Sequence, residues 1–269
     1  MLALGIATPA AAQGTDWAKQ IAEWNEPAAP FRIADNVYYV GTAGLSAYLI
    51  TDPAGHVLID GGLPGSAKLI AANIEALGFR LKDVRYLLIN HAHFDHSGGL
   101  AELKRLTGAK LLASAGEKPG LELGKTPGRA DLLPFPAVTV DRVIGDGEHI
   151  RLGGTDLVTR LTPGHTAGCT SWTTRSGSID LIFACSITVA GAPLNASTVS
   201  DFRATFAKLK ALKADVFLNF HPAAFDMEVK RKKLLAGDKR AFVDPGELRR
   251  RVEAAEAAFD AELKRAGSH

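Results

Sequence analysis

The run Asn90-His91-Ala92-His93-Phe94-Asp95-His96-Ser97-Gly98-Gly99 constrains this chain more than any other segment. It follows Val84-Arg-Tyr-Leu-Leu-Ile89, apolar enough for a strand buried on both faces, and it precedes a stretch of helical spacing from Gly98 to Leu106. The C-terminal end of a strand in an α/β sheet is where such folds place their sites. Imidazole and carboxylate are preferred zinc ligands, binding at about 2.0–2.2 Å, and this run offers three histidines and an aspartate within six residues. Side chains at i and i+2 diverge on a helix, so His91 and His93 converge on one ion only in a tight turn. Asp95 and His96 then project the other way, toward a neighbouring ion, and Gly98 and Gly99 let the chain turn into the helix.

Catalytic zinc commonly takes three protein ligands and keeps one position for water. Each ion therefore needs one more donor. His165 lies in the Gly/Pro loop Thr162-Pro-Gly-His-Thr-Ala-Gly168, directly after an apolar strand, and His221 lies at a strand end in Leu218-Asn-Phe-His-Pro222. These two are the expected third ligands. His56 and His149 fall inside predicted strands and His269 ends the chain, so ordinary roles are expected for all three.

The surrounding pattern is α/β. Strands are predicted over 37–40, 47–50, 56–60, 84–89 and 110–113, with helices over 66–77 and 98–106. After a Gly/Pro-rich connection at 116–136 the arrangement recurs loosely. Strands at 139–144, 149–152, 156–161, 170–174 and 179–184 precede a helix at 201–212 and a strand at 216–219. A final helix over 245–265 is expected, with Asp244 as cap and Pro245 at its first position. Two such halves without a linker predict a four-layer αββα sandwich, two mixed sheets face to face with helices outside. Residues 13–269 would form this as a single domain.

Bulk properties narrow the function classes. Apolar residues make up 46% and charged residues 22% of the 269, which fits a packed globular core and excludes a disordered chain. The net charge of +2 and the isolated run Lys230-Arg231-Lys232-Lys233, read as a solvated helix face, give no footing for nucleic acid. Residues 1–12 hold a short apolar stretch ending in Ala10-Ala11-Ala12, the form of a signal peptide remnant with a mature start near Gln13. An exported, soluble, periplasmic protein that does not engage a membrane is the expectation. Cys169 and Cys185 each sit in an apolar, strand-like stretch and read as two buried thiols rather than a bridge.

The His-x-His-x-Asp-His run after a strand, Leu58-Ile-Asp-Gly-Gly62 and Pro163-Gly-His-Thr166 resemble the metallo-β-lactamase superfamily. Gly164-His-Thr-Ala-Gly-Cys-Thr-Ser-Trp172, His221-Pro222 and Phe242-Val-Asp-Pro245 extend the resemblance to subclass B3 metallo-β-lactamases over nearly the whole mature chain. That resemblance implies two Zn2+ ions, the first held by His91, His93 and His165, the second by Asp95, His96 and His221. It implies hydrolysis of a β-lactam by a metal-activated water that Asp95 helps orient, with Ser186 and Thr188 binding the substrate carboxylate. Asp60 would orient a metal-bound histidine from behind. Trp17, Trp24 and Phe31 would form a wall over the cleft or pack, and the 116–136 loop would shape the other side.

Other subclasses carry Arg at the His96 position and a cysteine ligand later, but His96 already completes the second site, so Cys185 is not expected to bind metal. Glyoxalase II-like thioesterases share the histidine run and add a bridging Asp on a later strand. That strand here reads Phe183-Ala-Cys-Ser186, without a carboxylate. A lactonase or thioesterase of the same fold is the alternative. The partner is a small molecule, and nothing in the chain demands assembly beyond a monomer.

Overall fold

The structure, a computed structural model, describes residues 16–267; the segment read as a signal peptide remnant and His269 lie outside them. Among the described residues, twelve strands form two sheets. The first sheet runs β1 (Phe31–Ala34), β2 (Val37–Tyr39), β3 (Tyr48–Asp52), β4 (Gly55–Ile59), β5 (Val84–Leu88), β6 (Lys110–Ser114) and β7 (Arg142–Ile144), side by side in that order. It is antiparallel through β4 and parallel from there on. The second holds β8 (His149–Leu152), β9 (Thr155–Leu161), β10 (Thr170–Ser176), β11 (Ile179–Ala184) and β12 (Val216–Asn219), with only the β11–β12 pairing parallel. Both sheets are mixed, as the αββα expectation requires.

The described residues also form eight α-helices: α1 (Trp17–Trp24), α2 (Ser66–Ala76), α3 (Phe94–Ser97), α4 (Leu100–Thr107), α5 (Lys118–Leu123), α6 (Ala196–Ala211), α7 (Met227–Leu235) and α8 (Glu247–Ala266). None is long and apolar enough to cross a membrane.

Strand side chains alternate between faces, and that alternation builds two cores. Leu49, Leu58, Leu87 and Leu111 of the first sheet point outward and bury against Ile70 and Ile74 of α2 and Leu100 and Leu103 of α4. Their neighbours Ile50, Val57, Leu88 and Leu112 point the other way, into a cluster shared with Leu157, Trp172 and Phe183 of the second sheet. The same cluster continues through Phe202, Phe206 and Phe259, which cover the second sheet from α6 and α8.

Three expectations need correction, and one that was left open is decided. Cys169 and Cys185 form a disulfide, with 6.0 Å between their Cα atoms. The apolar patterns were right for two buried strand ends, but pattern alone does not reveal that β10 and β11 are hydrogen-bonded neighbours. Their antiparallel register, with Trp172 opposite Phe183, brings the start of one beside the end of the other. The last helix begins at Glu247 rather than Pro245, and Gly246 precedes it; the Asp244 carboxylate instead accepts from Gly246 N and pairs with Arg250. Of the two roles open to Phe31, packing is the one observed: it joins the core, its ring centroid stacked 5.2 Å from that of Tyr39. Finally, the basic run at 230–233 is only partly a solvated face: Lys230 is buried and its Nζ is 2.5 Å from a Glu247 carboxylate oxygen.

The disulfide closes a loop of 16 residues. Cross-linking a loop of that length restricts the unfolded chain by about 3 kcal/mol. The double variant Cys169→Ala/Cys185→Ala is therefore expected to lose about that much unfolding free energy in a urea titration. An unchanged midpoint would mean that the bridge contributes no net stability.

Candidate metal centre

The first histidine run leaves the end of β5 at the sheet edge. His91, Ala92 and His93 lie outside any regular element, His93 with an extended backbone, and Phe94 begins the four-residue helix α3. The turn is held against the preceding strand by close main-chain packing: a Cβ on Gly99 would lie 2.2 Å from the Gly61 carbonyl oxygen, so no other residue fits there without displacing the turn. The β9–β10 loop brings in His165, and the end of β12 brings in His221.

All six residues expected to bind metal meet here, as two triads: His91, His93 and His165, and Asp95, His96 and His221. Two donors bound about 2.0–2.1 Å from one tetrahedral ion stand roughly 3.3 Å apart. His91 Nε2 and His165 Nε2 are 3.2 Å apart. Asp95 Oδ2 lies 3.3 Å from His96 Nε2 and 3.5 Å from His221 Nε2. Among the described residues, His93 Nε2 and His96 Nε2 are buried without a hydrogen-bond partner, although Asp95 Oδ2 stands near the latter. Buried polar atoms are normally satisfied, so these orphans fit a cation as the missing partner. The donor set, five imidazoles and one carboxylate, suits zinc.

The back of each ring fixes which nitrogen faces inward. His165 Nδ1 donates to the Thr188 carbonyl at 2.7 Å. His96 Nδ1 donates to Asp60 Oδ2 at 3.0 Å, and His91 Nδ1 meets Asn90 Oδ1. Asp60 therefore stands where the sequence placed it, behind a candidate ligand. It is fully buried, adopts a left-handed backbone with φ of 68°, and also accepts from Asn90 N at 3.0 Å and from the Asn90 side chain.

Burial pushes His91 well below the usual imidazole range and His93 to about 2, each helped by the neighbouring imidazoles. Burial likewise lowers His165 and His221 to about 4. All four are thus neutral at pH 7, the form that binds metal. Burial also disfavours charged His96, but Asp95 and Asp60 outweigh it and raise His96; burial raises Asp60 to about 6. A group whose pKa falls on folding binds fewer protons than in the unfolded chain. The stability linked to His165 and His221 is thus present above 6.5 and lost as pH falls toward about 4. Asp60 acts in the opposite sense between 3.8 and about 6. In metal-free protein the ring nitrogens of His165 and His221 should stay neutral by 15N NMR from pH 8 down to near 4. Titration near 6.5 would show that the rings are solvated rather than buried.

A cleft of about 350 Å³ opens over the triads, lined also by Trp17, Trp24, Ser186, Thr188 and Arg129. Ser186 and Thr188, expected to bind substrate, thus share the cleft with the candidate metal ligands. Trp17 packs edge-on against Phe94 at 5.0 Å and Trp24 lies 5.5 Å from the His221 ring, so both tryptophans form the anticipated wall. A larger cleft of about 570 Å³ runs between α7 and α8; most of its charged lining is ion-paired (Lys230 with Glu247, Arg250 with Asp244, Arg251 with Asp226), and it offers no such donor set.

Two residues of the 116–136 loop escaped sequence reasoning. Arg129 pairs with both Asp131 carboxylate oxygens and donates to the Ala190 carbonyl at 3.0 Å, tying that loop to the turn after Thr188. Glu117 is buried beneath both histidine loops. Neither has a periodic or motif signal; only a three-dimensional neighbour reveals them. Cys185 Sγ comes within 3.6 Å of His91 Nδ1 and with Cys169 could suggest a third donor set, but the two sulfurs are bonded to each other and leave no thiolate.

The metallo-beta-lactamase superfamily model matches residues 41–221, which include all six candidate ligands. Among solved structures, the chain is similar to a metallo-beta-lactamase with an HARLDQ motif from Cronobacter sakazakii. Identity is 40%, covering 93% of this chain and 100% of that one, with a TM-score of 0.90. It is similar to a subclass B3 metallo-beta-lactamase of Bradyrhizobium japonicum at 42% identity, covering 91% and 97%, with a TM-score of 0.85. The motif in the first name contrasts with His91-Ala-His-Phe-Asp-His96 here. Among curated proteins, a hydroxyacylglutathione hydrolase of Ectopseudomonas mendocina is 35% identical over 124 residues, 45% of this chain, and the match spans only 39% of that relative.

Proposed function

Because this chain belongs to the metallo-beta-lactamase superfamily, we propose that it is a two-zinc hydrolase that opens the β-lactam ring, with a subclass B3 ligand set. The observation that carries this reading is the pair of triads, each holding a donor pair at the spacing of one tetrahedral ion, beneath a cleft that also presents Ser186 and Thr188. Likeness to the Bradyrhizobium japonicum enzyme over nine-tenths of the chain supports it.

His91, His93 and His165 would hold one ion and Asp95, His96 and His221 the other. When bound, such ions polarise a carbonyl and lower the pKa of a water toward 7. The protein's own contribution is placement. Thr188 O, Asn90 and Asp60 fix the ring orientations, so little reorganisation remains at the moment of reaction. Asp95, set between His96 and His221, also orients the attacking water. Ser186 and Thr188 donate to the substrate carboxylate. The tryptophan wall on one side and the Arg129-tied loop on the other exclude solvent from the ring. No serine or cysteine nucleophile is needed.

One observation favours a second reading. Curated relatives of this chain include hydroxyacylglutathione hydrolases, although these match less than half of it. A thioesterase of that kind is disfavoured by the end of β11, which supplies a disulfide cysteine and a serine where a bridging carboxylate would be expected.

All candidate ligands come from one chain, which supports action as a monomer. The apolar stretch before Ala10-Ala11-Ala12 supports export to the periplasm. So does the disulfide, since such bonds persist in oxidising compartments.

Purified protein should turn over nitrocefin, lose that activity on chelation and regain it with zinc. Turnover of a glutathione thioester or a lactone without nitrocefin turnover would replace the lactamase reading.

A further inference from the structure

Glu117 is a buried carboxylate for which the proposed chemistry has no use. It is 3% exposed, and among the described residues no lysine or arginine lies within ion-pair distance of it. A buried carboxylate is costly unless hydrogen bonds satisfy it, and all three of its donors come from the two loops of the first triad. Glu117 Oε2 accepts from Ala92 N, between His91 and His93, at 2.6 Å. Oε1 accepts from Gly168 N at 2.9 Å and from the Thr166 hydroxyl, both just after His165 in its loop.

The main chain is built to bring this carboxylate there. A Cβ on Gly116 would stand 2.7 Å from Gly168 Cα, and a Cβ on Gly168 would stand 2.6 Å from Glu117 N. Ser114 Oγ donates to the Gly168 carbonyl at 2.7 Å across the same contact. The two loops come from different sheets: His91 and His93 follow β5, and His165 follows β9. Nothing in the local sequence of either loop sets the distance between them.

We propose that Glu117 is a positioning residue that clamps the His91/His93 loop to the His165 loop, and so sets the spacing of the three nitrogens that would hold the first zinc. The proposal rests on the reading of the triads as metal sites. Glu117→Gln keeps the volume and one acceptor, but its amide meets either Ala92 N or Gly168 N donor to donor; in the second case the Thr166 hydroxyl can turn to accept, yet the Gly168 bond is lost. Loss of an outer partner typically costs roughly 10–100-fold in metal affinity.

The test is zinc binding to the metal-free, full-length protein, measured by competition with a chromophoric chelator, beside the thermal midpoint of the same metal-free samples. Glu117→Gln should weaken one of two zinc sites by roughly 10–100-fold and leave the other within about two-fold. Thr166→Val, which removes one donor and keeps the shape, should weaken the same site by less. Glu102→Gln, on the α4 surface, should change neither. If Glu117→Gln does not fold, Thr166→Val decides alone, and wild-type affinity in it would overturn the clamp. Two sites of unchanged affinity with a lowered midpoint would show a merely structural carboxylate. A wild-type protein that binds no zinc would overturn the metal reading and this one together.

Discussion

The variant His165→Ala is expected to lose hydrolytic activity by at least about 100-fold, beyond the usual cost of losing a partner that only orients a ligand. His165 is the informative choice because it lies in a loop, so its truncation opens no cavity in either core. Its Nε2 stands 3.2 Å from that of His91, and its other nitrogen is spent on the Thr188 carbonyl. Without it the first triad has two donors, and zinc content should fall from two per chain toward one while the far-ultraviolet circular dichroism stays the same. Activity within ten-fold of wild type, at full zinc loading, would remove His165 from the ligand set.

Asp60→Ala should be costly in a different way. The aspartate sits in a left-handed conformation that Asn and Asp tolerate better than Ala. Its carboxylate is the acceptor for Asn90 N, the Asn90 amide and His96 Nδ1, all buried. An unsatisfied buried donor costs about 1–3 kcal/mol, so the three together predict a loss of at least about 3 kcal/mol in unfolding free energy. The same change frees the His96 ring to rotate and should weaken zinc binding roughly 10–100-fold. Asp60→Asn, which keeps the backbone preference and one acceptor, should fall between Ala and wild type in stability. Urea titration of the metal-free forms separates the two effects: equal stability of Asp60→Ala and wild type would contradict the hydrogen-bond account.

How much of this was legible in the chain depends on the range of the interaction. The αββα sandwich and its mixed sheets follow from local periodicity, because each strand and helix carries its own apolar pattern. The six candidate donors were legible for a related reason: four of them crowd into the short run after the buried strand β5, and His165 and His221 lie beside Gly or Pro, where a short-range signal marks a turn. Wherever two elements meet, that signal stops. Cys169 and Cys185 read correctly as buried, yet their bond depends on the β10–β11 register. Phe31 was indistinguishable from Trp17 and Trp24 as an aromatic near the start, and only its stacking on Tyr39 puts it in the core. Asp244 next to a proline made a persuasive cap, but the chain spends that carboxylate on Gly246 N and Arg250. Glu117 and Arg129 lay in a loop without periodicity, and what they do is visible only through the loops they join.

The most direct test of the account is anomalous diffraction at the zinc absorption edge from crystals of the zinc-loaded protein. Two peaks are predicted, one among His91, His93 and His165 and one among Asp95, His96 and His221. An absence of peaks at these triads, or zinc bound elsewhere on the chain, would contradict it.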